Sequence, residues 1–179
     1  MKWWALHVQH TIAYVRAAKS NNRVDILRAL MALVDGMAWW GGLIAGKAGD
    51  HNGIIAHGLM AEHVTAAKLL ADRLPVEDEV GVTAALELLV RNADFQAMFF
   101  GASIHDFPHA EFRSLLTAHL EALQGYAKDW NAGNEASFEA HVAAAEKNAA
   151  DLDQFTLKNL AVLRRRQPEA QPVQEQTAP

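Results

Sequence analysis

Cysteine is absent from the 179 residues. That removes disulfides, thiolate metal sites, iron–sulfur clusters, CxxCH haem attachment and cysteine nucleophiles together. Runs of alternating β-branched residues are missing too, while alanine is abundant, a composition that favours helices throughout. Basic surface is scarce: the net charge is −5, the only basic run is Arg164, Arg165 and Arg166, and nucleic acid is not an expected partner. Residues 1–10 lack the uninterrupted apolar core of a signal peptide. The longest apolar region, 29–45, carries Asp35 and is too short for a comfortable membrane span. The expectation is a cytoplasmic protein without a membrane partner, unless a leader has been removed. Several standard chemistries are also missing. There is no Glu-x-x-His pair of a ferritin-like di-iron bundle, no His-Glu-x-x-His, no phosphate-binding glycine motif and no Gly-x-Ser-x-Gly elbow.

What is present reads as six helical segments, about 2–19, 24–45, 53–74, 79–100, 109–130 and 135–165. The polar turn Ser20-Asn21-Asn22, a glycine-rich stretch over 46–53, Pro75, the turn 101–108 and Asn131-Ala132-Gly133-Asn134 separate them. The length suits one domain over 1–166, followed by a disordered tail rich in proline, glutamine and glutamate over 167–179. The predicted fold is all-α: six helices around an antiparallel four-helix bundle formed by the first, third, fifth and sixth. A faint echo links Asp35 to His63 across 28 residues and Asp94 to His119 across 25, as a duplicated helical hairpin would.

Histidines mark the apolar stripes. His10 precedes Ala13 and Tyr14, His63 lies between Leu59 and Ala67, His119 between Leu115 and Leu123, and His141 between Phe138 and Ala145. Neighbours three or four residues away share a helical face. One inward histidine on each of four packed helices is how a bundle builds a metal site. Buried imidazoles need partners for both nitrogens, and a shared ion meets that need for all of them. The expected ligands are His10, Glu62, His63, His119 and His141, with His7, Asp35 and Asp94 as candidates for orienting them. Iron is the first expectation, then zinc or manganese, with oxygen or another small ligand at any open position. Two other readings stay open. A haem or apolar ligand would take two histidines as axial ligands and line its pocket with tryptophan. An assembly protein would use the adjacent pairs Trp3-Trp4 and Trp39-Trp40, one member of each exposed, as a homodimer contact. The other histidines, His51, His57, His105 and His109, read as loop and cap residues.

A bundle with a histidine on each core helix and a carboxylate beside them resembles hemerythrin-like proteins. The chain lacks hemerythrin's His-x-x-x-Glu followed by His-x-x-x-His in the expected places, so that family's di-iron residues are not carried over. It more closely resembles a family of prokaryotic helical-bundle proteins. The matching succession is Leu6 with His10 and Arg16, Asp35, Glu62-His63, Asn92 with Asp94, His119-Leu120 and His141, spread over residues 5–160. The family's aromatic after the early leucine is replaced here by His7. The resemblance implies the helical fold and this choice of residues, and it supplies no activity.

Overall fold

The computed structural model describes residues 2–104 and 106–163. The expected tail over 167–179 and His105 lie outside them. Six helices follow one another: α1 (Trp3–Lys19), α2 (Arg23–Ala48), α3 (Asp50–Arg73), α4 (Glu79–Ser103), α5 (His109–Ala132) and α6 (Glu135–Leu163), with a single 3-10 turn, Leu74–Val76, before α4. The all-α, six-helix expectation holds. Boundaries differ most around 46–53, where the break contracts to Gly49 at φ 91° and the helices on either side run up to it. His51 and His57 are therefore helical residues of α3 rather than loop residues. The crossing of α2 and α3 is close. A Cβ on Gly53 would lie 2.5 Å from Ala45 Cβ and one on Gly41 2.8 Å from His57 Cβ, so glycine at both sites lets the backbones approach.

Each helix packs on the next, and α6 closes the ring against α1, while α1, α3 and α5 also meet one another in the centre. Sequence neighbours run antiparallel, as shown by Asn92 against Leu59 and Ser103 against Asn52 between α3 and α4. The odd helices consequently share one direction: His7 lies beside His63, and Tyr14 beside Asp72 a few turns on. The expected antiparallel core of α1, α3, α5 and α6 is not what forms: the centre is the parallel trio α1, α3 and α5, and α6 packs outside it on α1 and α5. There α6 runs against the other three, because two short reversals separate each odd helix from the next.

The structure exposes an internal repeat with a period different from the echo in the sequence. His7, His63 and His119 stand 56 residues apart, as do the starts of α2, α4 and α6 at Arg23, Glu79 and Glu135. The reversal inside each hairpin is the same motif three times. Asn21, Glu77 and Gly133 take left-handed φ of 52°, 54° and 75°. The amides of Asn22, Asp78 and Asn134 donate back to the carbonyls of Ala17, Arg73 and Asp129. This is a helix-ending turn that satisfies otherwise orphaned carbonyls. Asn22 and Asp78 then cap the following helix through the amides of Asp25 and Gly81. Deeper in the hairpin, Asn92 Nδ2 donates to Leu59 O at 2.8 Å and Asn148 Nδ2 to Leu115 O at 3.0 Å. The unit is thus a hairpin of one inner and one outer helix: α1–α2, α3–α4 and α5–α6.

Longer than its sequence suggested, α2 is by length and composition apolar enough to cross a membrane. It packs on α1 and α3 through Leu33, Met37, Trp40 and Ile44, and leaves Val24, Leu27, Met31 and Val34 exposed. The tryptophan pairs do not supply the exposed contact expected of them. Trp3, Trp4 and Trp40 are buried and Trp39 is half-buried. Because α1 is covered by α2 on one side and by α6 on another, adjacent residues on it both find cover.

The start of α1 has no side-chain cap of its own. Buried Asp153 on α6 accepts instead from the amides of Trp4 at 2.9 Å and Ala5 at 3.3 Å. Asp153→Ala should therefore leave one buried and one part-buried donor unpaired and cost about 2 kcal/mol. A melting curve should show Tm lowered by roughly 5–10 °C, with Asp153→Asn losing less. An unchanged Tm would mean that the tertiary cap is not needed.

Candidate functional site

The three inner helices bring one histidine each to the axis of the ring. His7, His63 and His119 are all buried, their ring centroids separated by 5.3, 5.5 and 5.6 Å. One ring nitrogen from each lies within 4.8 Å of the others. Trp3 stacks on His7 at 5.3 Å and Trp4 meets His119 edge-on at 5.7 Å, closing one side of the cluster.

The ring nitrogens are the unusual feature. His7 Nε2, both nitrogens of His63 and His119 Nδ1 are buried without a hydrogen bond of regular geometry among the described residues. Burial pushes His119 down to about 3, with neighbouring His63 adding to the shift. It pushes His63 down to about 4, against the upward pull of the Asn92 side chain. His7 is lowered well below its usual value, first by burial and then by His63, His119 and His10. All three are therefore neutral imidazoles at neutral pH, with lone pairs free for a ligand.

A chain of amides supports His63. Asn92 donates to Glu62 Oε2 at 3.0 Å as well as to Leu59 O, and it accepts from Gln96 Nε2 at 2.7 Å. Asn92 and Gln96 are buried, and Gln96 Oε1 has no partner among the described residues. Reading histidines alone passes over this pair. The 56-residue period, which makes Asn148 the equivalent of Asn92, signals the asparagine but not Gln96, whose equivalent is Leu152.

The structure unites only some of the residues expected from the sequence. His63 and His119 meet as expected, and the first helix contributes His7 instead of His10. His10 lies three residues further on, half-buried beside a cavity between α1 and α2. Glu62 points at α4, bonded to Asn92 and, at 3.4 Å, to Arg91. His141 is displaced from the cluster. Its Nδ1 lies 2.7 Å from Asp129 Oδ2, and its ring fills the space beside Gly125, where a Cβ would collide with it. The reason is the repeat: α6 is an outer helix equivalent to α2 and α4, and outer helices have no position on the axis. Asp94 pairs with Arg113 at 2.5 Å on the surface, and Asp35 is exposed at the rim of the cavity beside His10. His109 opens α5, its ring against Gly101.

No family model matches the chain, and neither a curated protein nor a solved structure is significantly similar to it.

The depressed histidine pKa values make the metal-free protein acid-sensitive. Between the ordinary value of 6.5 and the folded values of about 4 and 3, the unfolded chain binds protons that the folded chain does not. Stability should be complete above pH 6.5 and fall as pH drops through that window. Urea titrations of metal-stripped protein at stepped pH measure this. His119→Leu should flatten the slope, and a wild-type profile level from pH 7 to 4 would refute the assignment.

Proposed function

We propose that this is a metal-binding protein in which His7, His63 and His119 hold one divalent transition-metal ion on the axis of the three hairpins. The observation that carries the reading is the set of neutral, buried ring nitrogens without hydrogen bonds of regular geometry among the described residues, converging from equivalent positions of three helices. Leaving such groups unpaired in a dry core costs about 1–3 kcal/mol each, and one ion meets the need of all three rings. Metal–nitrogen bonds near 2.1 Å in tetrahedral geometry place ligand nitrogens ~3.4 Å apart, so small side-chain rotations bring the three rings into range.

The donor set also bears on which ion. Sequence reading favours iron because Glu62 is counted as a ligand. With Glu62 engaged by Asn92 and Arg91, the ligands are three neutral imidazoles, and that set suits zinc before iron and disfavours manganese. Three protein nitrogens leave a fourth position for water or another small ligand, and an ion there would make bound water more acidic. Haem fits less well: any plane between two of the rings is obstructed by the third. Asn92 serves as a positioning residue, tying the His63 helix to α4 and biasing the His63 ring.

Elemental analysis of untagged protein after dialysis against zinc, iron or manganese tests the reading. Near-stoichiometric zinc is expected, lost in the His63→Ala/His119→Ala variant. Wild-type protein that retains none of the three metals would overturn it. Under competition with a chelator, Asn92→Ala should bind zinc roughly 10–100-fold more weakly at unchanged stoichiometry. His141→Ala and His10→Ala should retain the metal.

A further inference from the structure

The first hairpin departs from the other two where its two helices face each other. In the second, Asn92 bridges to Leu59 O and Glu62, and Glu62 also pairs with Arg91. In the third, Asn148 bridges to Leu115 O, and Lys147 pairs with Asp151 at 2.9 Å. The equivalent residues of the first hairpin are Gly36 for the asparagine, Asp35 for the cation and Trp39 for Phe95 and Asp151. With no amide to bridge the helices, the contact is reversed, and Trp3 Nε1 donates to Gly36 O at 2.9 Å. A cavity of about 470 Å³ opens there between α1 and α2. That volume is within the usual range for small-molecule sites.

The lining defines the ligand. The half-buried ring of Trp39 and the side chain of Leu6 supply apolar walls, Trp3, stacked on His7 and Trp40, closes the floor, and His7 is reached at the inner side. His10 stands where the other hairpins carry buried Ala66 and Ala122. Asp35 is the only carboxylate of the lining, no lysine or arginine joins it, and it has no ion partner among the described residues. The site therefore combines an unpaired negative charge with the indole of Trp39, both of which attract cations.

We propose that this cavity binds a small organic cation with a flat apolar body, its ammonium group held by Asp35 and its body lying against Trp39 and Leu6. His7 borders both this cavity and the histidine cluster, so the cavity is tested on protein without metal.

Calorimetric titration of metal-stripped protein with tryptamine, tryptophol and indole-3-acetate tests the proposal with one ring system carrying positive, neutral and negative groups. Tryptamine should bind roughly ten-fold more tightly than tryptophol, with indole-3-acetate weakest. Asp35→Asn, at an exposed position that leaves folding intact, should erase the preference for the cation. Ala32→Trp, which fills the cavity, should abolish binding of all three. Absence of tryptamine binding at millimolar concentration, equal affinity for the three probes, or a preference that survives Asp35→Asn would overturn the proposal. Since the protein is metal-stripped, such a failure leaves the metal reading untouched, and loss of zinc binding leaves this one untouched.

Discussion

Three neutral, buried imidazoles brought together by three helices are the constraint around which this protein is arranged. A buried ring nitrogen without a partner is costly, and the cost is incurred here by three rings at once. Hydrophobic burial elsewhere has to hold them there. Large fully buried side chains, among them Trp4, Trp40, Phe112, Tyr126 and Phe138, pack on every side of the axis. The same burial keeps the rings unprotonated, so sensitivity to acid and the free lone pairs of the three rings have one physical origin.

Repetition explains how the site is assembled with so little machinery. A hairpin of one inner and one outer helix, used three times, delivers three equivalent histidines without any of them being placed separately. The reversal motifs at Asn21, Glu77 and Gly133 fix the register of each hairpin, and register fixes the height of each histidine on the axis. The three copies differ where their inner and outer helices face each other. The second hairpin uses its asparagine to steady His63, and the first gives up that asparagine for Gly36 and gains a cavity. The two conserving hairpins show what the interface looks like when it is closed.

Much of the fold was legible because its signals are local. Helix periodicity, Pro75, the Asn-rich reversals and the histidines on apolar stripes all act within a few residues of themselves. The break at 46–53 was overestimated because glycine lowers helix propensity locally. In the folded chain, Gly41 and Gly53 are helical, retained for the close crossing of α2 and α3. His141 was misplaced for a related reason. Its neighbours Phe138 and Ala145 are indeed buried, but the histidine sits at the edge of that stripe, where Asp129 and Gly125 receive it. Periodicity tells which face of a helix turns inward without telling what that face meets.

By itself the sequence determined the helical class, the approximate limits of six helices, and a short roster of residues able to bind metal. Tertiary structure decided which of them meet. His7 rather than His10 reaches the axis because the rotation of α1 is set by Trp3 against α2 and Trp4 against α6. Glu62 turns to Asn92, and α6 takes an outer place without a histidine on the axis. Each of these outcomes depends on contacts between residues distant in the chain, which local propensity does not encode.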